Sequence, residues 1–300
     1  NHHSGNPNIW CYDTRTEGKC SGYPKRPGIP TGHDPIAIGI GSKLYLGDDS
    51  TDGRAYGQRS KIYCWDADAD RTCGSSPVIP GGGYAGPVYQ NGKFYVLTKA
   101  GDVDCYDPGQ GLAQCTGFTR KNIGIVPGST RSWRTHGADM LVWDGRIYIT
   151  SNQQLLGCFD ADTDDLCNDW ANNPVSIPAP GNRFDLFRRM NEAGSVTGVC
   201  VAGLNVNSTC FDFDGTNPSI IQNASISTTA PGLNSWGETY YETRVFFGAS
   251  YPGQYIGCWD WATQAPCTGS HFNNGKMGPA GKPYALNTDD SCIYSFGDSG

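Results

Sequence analysis

Long apolar runs, basic stretches and methionines are all rare in this chain of 300 residues. No apolar run approaches the ~18 residues that a membrane-spanning helix requires. Acidic residues outnumber basic ones, 29 against 22, which gives a net charge of −7. An acidic chain without a basic stripe repels phosphate backbones, so the sequence predicts neither a membrane span nor a nucleic-acid partner.

Glycine and proline, by contrast, are frequent, with 41 and 19 residues scattered along the chain. Both residue types favour turns, so their spread indicates many short strands and leaves little room for helices. Aromatic residues make up 12% of the chain and supply large apolar side chains for a core between sheets. The composition therefore predicts an all-β fold.

A tripeptide of cysteine, an aromatic residue and aspartate recurs along the chain. Its six copies are Cys11-Tyr12-Asp13, Cys64-Trp65-Asp66, Cys105-Tyr106-Asp107, Cys158-Phe159-Asp160, Cys210-Phe211-Asp212 and Cys258-Trp259-Asp260. They follow one another at intervals of roughly 40–55 residues, the size of one blade of a β-propeller. The interval from the last copy through the C-terminus back to the first falls in the same range, as a closed ring requires.

Each copy follows two apolar segments with the alternation typical of strands. Before Cys105 these segments are 86–89 and 93–98. One repeat thus reads as four antiparallel strands with the tripeptide on the third, and the six repeats predict a six-bladed β-propeller with four-stranded antiparallel blades.

The two chain ends are expected to complete one blade together. Residues 292–296 match a second strand, and residues 9–13 supply the third strand that is missing after them. Closing the ring in this way removes exposed sheet edges. We therefore predict one domain over residues 1–300, with the last blade shared between about 285–300 and 1–30.

The thirteen cysteines predict that the blades are stapled by disulfides. In five repeats a second cysteine follows closely after the tripeptide, where it would join the third and fourth strands across their turn. The repeat at Cys210 lacks that partner, but a hairpin near Asn205 would place Cys200 opposite Cys210. The predicted bridges are Cys11–Cys20, Cys64–Cys73, Cys105–Cys115, Cys158–Cys167, Cys200–Cys210 and Cys258–Cys267.

This use of cysteine indicates an oxidising compartment, so we expect a secreted or cell-surface protein. The sequons at Asn207 and Asn223 would make it a glycoprotein in a eukaryotic secretory pathway. Cys292 is left over from the pairing scheme. It is either free, paired outside this segment, or a sign that the chain continues as part of a longer protein.

The repeats resemble those of quinoprotein-like (PQQ-type) β-propellers. The likeness lies in segments such as Asn91-Gly92-Lys93-Phe94-Tyr95 followed by Asp104-Cys105-Tyr106-Asp107, and it extends over all six repeats. The resemblance implies the strand arrangement of a propeller blade. Cysteines stand where that family has its closing Gly-x-Trp segment, so the resemblance does not imply that this chain binds the family's cofactor.

Two motifs have simpler structural interpretations. Gly297-Asp298-Ser299-Gly300 matches the nucleophile motif of trypsin-like proteases, but it occupies a position between second and third strands and lacks a suitably spaced histidine. The acidic segments 66–70 and 160–164 resemble the start of a calcium loop without its glycine and closing glutamate. We therefore expect acidic turns and no cofactor, with calcium as the alternative. The five histidines show no paired spacing for a metal.

The best candidates for ligand binding lie just before, or at the start of, the first strand of each repeat. In a propeller these strands line the central channel, so the residues entering them surround one mouth of it. The candidates are His33, Tyr84, His136, Arg183, Trp236, Glu238 and Tyr284. Aromatic side chains with a few polar groups are typical of a concave ligand site. A water-filled channel whose polar groups bind one another is the alternative. The insertion 48–60 is expected on the same face, where it serves either recognition or solvation.

Three functions compete on this evidence. We favour a non-enzymatic extracellular binding module whose ligand at the channel mouth is a glycan or a protein. The second is a hydrolase or lyase with His33 or His136 as general base and Arg183 stabilising an anion. The third is a purely structural repeat domain of a larger surface protein.

Overall fold

The computed structural model describes residues 12–13, 18–19, 21–22, 37–47, 62–74, 83–98, 100–126, 138–151, 153–178, 184–203, 208–213, 218–224, 238–248 and 256–267. Within these ranges the chain forms strands and turns, and its one helical segment is a short 3-10 turn at Pro108–Gln110. No helix in the described part is long and apolar enough to cross a membrane. The all-β prediction is confirmed.

The described chain divides into two compact units, and the first contains a four-stranded sheet, a five-stranded sheet and a small hairpin, all antiparallel. The hairpin pairs β1 (Tyr12–Asp13) with β2 (Gly18–Lys19). Sheet I consists of β3 (Ala37–Ile40), β4 (Lys43–Gly47), β5 (Ile62–Asp66) and β6 (Arg71–Thr72). Sheet II consists of β7 (Gly83–Gln90), β8 (Lys93–Thr98), β9 (Asp102–Asp107), β10 (Ala113–Gln114) and β11 (Lys121–Asn122).

The second unit contains three further antiparallel sheets. Sheet III consists of β12 (Ala138–Trp143), β13 (Arg146–Ser151), β14 (Leu155–Asp160), β15 (Asp165–Leu166) and β16 (Val175–Ser176). Sheet IV consists of β17 (Phe184–Met190), β18 (Val196–Gly203), β19 (Ser208–Phe213) and β20 (Pro218–Ala224). Sheet V consists of β21 (Glu238–Tyr241), β22 (Arg244–Gly248), β23 (Ile256–Asp260) and β24 (Ala265–Pro266).

The order of strands within each sheet follows the chain, as the repeat predicted. In sheets I to V the Cys-aromatic-Asp tripeptide lies on the third strand, and in the small hairpin Tyr12 and Asp13 pair with the strand that follows them. Six blades and closure of the ring stay predictions, because the C-terminal segment that would complete the last blade is outside the described residues.

The strands of each sheet start and stop at two opposite ends of the sheet, and these two ends differ. One end holds the hairpin between the first and second strands and the turn between the third and fourth strands. We call this end the turn edge. The opposite edge, where the first strand begins and the second strand leads to the third, is the loop edge. The register of sheet III illustrates this, since Ala138 pairs with Ser151 and Ser151 with Leu155 at the loop edge.

The aspartate of the tripeptide forms the turn that follows it. The side chain of Asp66 accepts hydrogen bonds from the backbone N–H groups of Asp68 (3.1 Å) and Ala69 (3.0 Å). Asp107 does the same for Gly109 and Gln110 in sheet II. A short side-chain acceptor that satisfies backbone donors two and three residues ahead is what makes aspartate favourable at the start of a turn.

The aromatic residue of the tripeptide belongs to the core. All five described copies are buried: Trp65, Tyr106, Phe159, Phe211 and Trp259. In each unit, the buried side chains form clusters between consecutive sheets, such as the one that brings Tyr45 of sheet I to 4.7 Å from Phe94 of sheet II, measured between ring centroids. Burial of these rings supplies the main stabilisation between sheets.

Four of the predicted disulfides are present: Cys64–Cys73, Cys105–Cys115, Cys158–Cys167 and Cys200–Cys210. Cys267 is disulfide-bonded as well. The predicted exception in sheet IV is confirmed, because Cys200 on β18 lies directly opposite Cys210 on β19. Cys11, Cys20 and Cys292 lie outside the described residues, as does the side chain of Cys258.

The position of the disulfide correlates with the shape of the outer strand. In sheets II and III the bridge joins the third strand to a cysteine just after the two-residue fourth strand. The chain then leaves the sheet, and a second short strand pairs with the third strand further along. In sheet IV the bridge joins the second and third strands instead. The outer strand β20 there runs alongside β19 from Pro218 to Ala224, with one irregularity in its register.

Asp260 at the end of β23 gives the stability of sheet V a predictable dependence on pH. Burial alone would raise the pKa of this carboxyl, but hydrogen bonds from Thr243, Ala262 and Arg244 outweigh burial and lower it below 3.8. A depressed pKa stabilises the fold above the unfolded-state value, and that contribution is lost as the pH falls through the folded-state value.

We therefore expect Asp260→Asn to lose about 1 kcal/mol at pH 7. The difference from the parent protein should shrink as the pH falls below about 4, the ordinary pKa of an aspartate. Urea unfolding at pH 7 and pH 3 measures both values. Asp68→Asn in the equivalent turn of sheet I is the control, since Asp68 is exposed. A deficit in Asp260→Asn that is equal at both pH values would contradict this account.

Candidate functional site

Two of the residues that the sequence predicted for ligand binding lie at the loop edge of described sheets. Tyr84 is the second residue of β7, and Glu238 is the first residue of β21. The other candidates, His33, His136, Arg183, Trp236 and Tyr284, lie outside the described residues. Of these, the first four come shortly before the strands that begin at Ala37, Ala138, Phe184 and Glu238.

The long connections also enter at this edge. Residues 48–61, which contain the insertion that the sequence singled out, join Gly47 at the end of β4 to Ile62 at the start of β5. Gly47 and Ile62 are partners in the register of sheet I, on the same edge as Ala37 and Leu46. Residues 225–237 likewise lead from β20 to the first strand of sheet V. The loop edge is therefore where these long connections leave and enter the described strands.

Two of the short connections at this edge are built in the same way. In sheet II the N–H of Gly101 donates to the carbonyl of Thr98, and the N–H of Ile123 donates to the carbonyl of Gly101. In sheet III, Gln154 donates to Ser151 and Ile177 donates to Gln154 in the same pattern. In both sheets the segment that follows the outer strand therefore donates a hydrogen bond to the connection between the second and third strands. This bond holds the connection in place at the loop edge.

The first strands of the second unit are linked through polar side chains. Asp139 on β12 accepts a hydrogen bond of 2.7 Å from the backbone N–H of Leu186 on β17. Arg188 on β17 donates through its guanidinium to the carbonyl of Val142 at 3.3 Å, and its backbone N–H donates to the hydroxyl of Tyr240 on β21 at 2.6 Å. Consecutive first strands therefore lie side by side without forming a common backbone ladder, as the innermost strands of propeller blades do.

Sequence reasoning missed Asp139, Arg188 and Tyr240. The guanidinium carbon of Arg188 lies 5.5 Å from the centre of the Tyr240 ring, within reach of a cation–π interaction. Its Nε is buried and has no hydrogen-bond partner among the residues that the structure describes. A charged residue in the middle of a first strand was the one signal that could have drawn attention to this contact.

The acidic turns that resemble calcium loops are occupied with contacts inside the protein. Asp66 forms its own turn, as described above. Asp164 pairs with Lys93 and accepts a hydrogen bond of 2.7 Å from the hydroxyl of Tyr95, and Asp162 accepts one from Asn91. In the described ranges no three His, Cys, Asp or Glu side chains group closely enough to hold a metal ion. The acidic-turn interpretation accounts for these carboxylates, and the choice between calcium and no cofactor stays a prediction.

Several tyrosines in the core are held in their neutral form. Burial, followed by the negative charges of nearby carboxylates, raises the pKa of Tyr106 beside Asp104. Burial also raises the pKa of Tyr148, against the opposing charge of Arg146. Both hydroxyls therefore stay protonated over the physiological pH range, and that of Tyr106 donates a hydrogen bond to Asp104.

Comparison with known proteins agrees with the fold. No protein-family model matches the chain, and no curated protein matches it in sequence. Among solved structures it is similar to the computationally designed protein Ika8, with 12% identity, a TM-score of 0.50, and coverage of 94% of this chain and 72% of that one.

Two natural domains show the same likeness. The WD40 domain of Pan2 from Neurospora crassa has 8% identity and a TM-score of 0.51, over 80% of this chain and 65% of that one. The β-propeller domain of Cps50 (Swd1) from Myceliophteria thermophila has 12% identity and a TM-score of 0.53, over 88% and 80%. At such identities the likeness concerns fold alone. It supports a β-propeller and does not single out the PQQ-type repeat.

Proposed function

We propose that this protein is an extracellular binding module, a six-bladed β-propeller that holds a glycan or a protein ligand at its loop edge. The observation that carries the proposal is the contrast between the two edges of the described sheets. The turn edge has short hairpins, aspartate-formed turns and the three bridges between third and fourth strands in sheets I to III, and the loop edge has the long connections. Loops on a rigid scaffold are where binding proteins place their recognition residues.

The ligand site is formed by the residues that lead into the first strands. Aromatic rings stack on the apolar face of a sugar or on an apolar side chain, and imidazole, guanidinium and carboxylate groups orient the ligand through hydrogen bonds. The residues proposed for this site are His33, Tyr84, His136, Arg183, Trp236, Glu238 and Tyr284. The fixed connections at 98–101 and 151–154 support it, because a preorganised scaffold reduces the entropy lost on binding.

The chemistry of the cysteines supports secretion. The Cys200–Cys210 bridge lies in the core, with exposures of 0% and 1%, and Cys105 and Cys158 are buried to the same degree. Structural disulfides persist in oxidising compartments and are rare where glutathione keeps thiols reduced. The proposed location is therefore the extracellular space or the cell surface.

Binding at the loop edge predicts that Trp236→Ala and Tyr84→Ala abolish or strongly weaken ligand capture. Loss of an aromatic anchor at the centre of a site costs about 2 kcal/mol or more, which is roughly thirtyfold in affinity. The measurement is capture of the purified protein on a broad glycan array and on a panel of extracellular proteins, followed by titration of any ligand found.

Tyr89→Ala is the matched control for Tyr84→Ala. Both tyrosines lie on β7, but Tyr89 is at the turn-edge end and is 36% exposed. The control should bind like the parent protein. Equal loss in all three variants would point to general destabilisation, and no ligand across both panels would contradict the proposal.

A further inference from the structure

The outer strand of sheet IV is unlike the outer strands of the other sheets. It runs over seven residues, Pro218–Ala224, whereas β6, β10, β15 and β24 have two residues each. In the described part of the chain β20 pairs only with β19, so its outer side has no strand partner. A long outer strand is a template on which another chain can add a strand.

Natural sheets protect such strands with charge, proline, bulges or short length. β20 carries no charged residue, since its sequence is Pro-Ser-Ile-Ile-Gln-Asn-Ala. Proline begins the strand, and the register shift next to Cys210 and Phe211 leaves Ile221 as an extra residue. The proline and the extra residue both lie in the first half of β20. The second half, Gln222–Ala224, pairs regularly with Ser208–Cys210 and has neither.

This second half contains one of the two sequons of the chain, Asn223-Ala224-Ser225. In the register of the sheet, Asn223 is the partner of Thr209, which belongs to the other sequon, Asn207-Ser208-Thr209. The described parts of the two sequons, Ser208-Thr209 and Asn223-Ala224, therefore run antiparallel beside each other. They differ in position, because Ser208 and Thr209 lie on an inner strand and are buried, at 2% and 0% exposure, while Asn223 lies on the outermost strand.

We propose that Asn223 carries an N-linked glycan that covers the otherwise unprotected half of β20. A bulky, hydrated group on the outer strand blocks the approach of a second chain and replaces the charges that the strand lacks. The inference rests on the proposed secretion. It is compatible with the proposed ligand site, because β20 is three strands from β17, which is about 14 Å at the usual spacing of strands.

The modification joins the side-chain amide nitrogen of Asn223 to C1 of the first sugar of a lipid-diphosphate-linked oligosaccharide. The new bond is C1–N, the bond that breaks is C1–O to the diphosphate, and the lipid diphosphate leaves while the amide nitrogen loses one proton. The hydroxyl of Ser225 completes the tripeptide that the transferring enzyme recognises. Removal of that hydroxyl therefore prevents the modification and keeps Asn223 itself.

The experiment is secretion of the full chain from a eukaryotic cell line, as the parent protein and as Ser225→Ala, Asn223→Gln and Asn207→Gln. We expect the first two variants to lack one glycan mass in intact-mass analysis. Release of N-linked glycans in heavy-oxygen water should convert Asn223 of the parent into a labelled aspartate. Ser225→Ala keeps an uncharged asparagine on the strand, so size-exclusion chromatography of this variant should show at least a threefold rise in oligomers over the parent, and Asn223→Gln should show the same rise.

Two results would overturn the proposal. One is a Ser225→Ala protein that is secreted with the mass of the parent, which shows that Asn223 is unmodified. The other is a glycan on Asn223 whose prevention by Ser225→Ala leaves the protein as monomeric as the parent. Asn207→Gln should not change the oligomer fraction. Ligand capture at the loop edge is measured on the same samples, so a failure of the binding proposal is seen separately.

Discussion

Replacement of Gly198 by alanine should destabilise the second unit by about 3 kcal/mol or more. Gly198 is buried on β18 and pairs with Asp212 on β19. A methyl group there would overlap the carbonyl oxygen of Phe211 and come within 2.9 Å of its carbonyl carbon and 3.1 Å of the Cα of Asp212. These are backbone atoms, so relief requires the two strands to separate, which breaks the register on which Cys200–Cys210 depends.

Thermal and urea unfolding of Gly198→Ala measure this loss. Gly39→Ala is the matched control, because Gly39 also lies within a strand, β3, and a methyl group there would meet nothing within 4 Å. Alanine loses less conformational entropy than glycine on folding, so the control should be unchanged or slightly more stable. A Gly198→Ala protein as stable as Gly39→Ala would show that β18 and β19 are not paired in this register.

The sequence was sufficient for the features that recur in every repeat. The tripeptide identified the third strand because each of its residues has a single physical role. Cysteine forms the bridge, the aromatic ring fills the core and aspartate forms the turn. The same logic identified the Cys200–Cys210 exception, since a hairpin of that length brings its two cysteines opposite each other. These relations join residues that are close in the sequence, so the spacing between the residues is sufficient to predict them.

Contacts between sheets were not accessible in this way. Asp139 and Arg188 reach strands some 50 residues away, and nothing in the spacing indicates which carbonyl or N–H they will meet. Similarly, the division of the outer strand into β10 and β11 depends on where the chain after Cys115 finds a partner on β9. The candidate ligand residues share a position relative to the first strands, and that shared position is the part of the site that the repeat could predict.

Asp104 shows how such a non-local contact stabilises one sheet. Its carboxylate is on β9 and is 0% exposed. It accepts a hydrogen bond of 3.0 Å from Nε of Arg120, and Nη2 of the same guanidinium lies 2.8 Å away in an ion pair. The carboxylate also accepts hydrogen bonds from the hydroxyl of Tyr106 (3.1 Å), the side-chain amide of Gln114 (3.0 Å) and the backbone N–H of Cys105 (3.1 Å). This network ties the segment between β10 and β11, which leaves the sheet after Cys115, back to the third strand.

Asp104→Ala should therefore lose about 3–5 kcal/mol, because it removes the acceptor of a buried ion pair and leaves the hydroxyl of Tyr106 without a partner. Asp102→Ala on the same strand is the control: Asp102 has an exposed hydrogen bond to Asn122, so about 1 kcal/mol or less is expected. Urea unfolding measures both variants.

A second readout separates the network from simple loss of packing. Burial and then the charge of Asp104 raise the pKa of Tyr106, so Asp104→Ala should lower that pKa in an ultraviolet titration. The Asp104→Ala/Arg120→Ala double variant should be less destabilised than the sum of the single variants, since either change alone already breaks the pair. Strictly additive losses together with an unchanged tyrosine titration would mean that Asp104 and Arg120 act independently, and that the outer segment is held by the Cys105–Cys115 bridge and the β11 pairing alone.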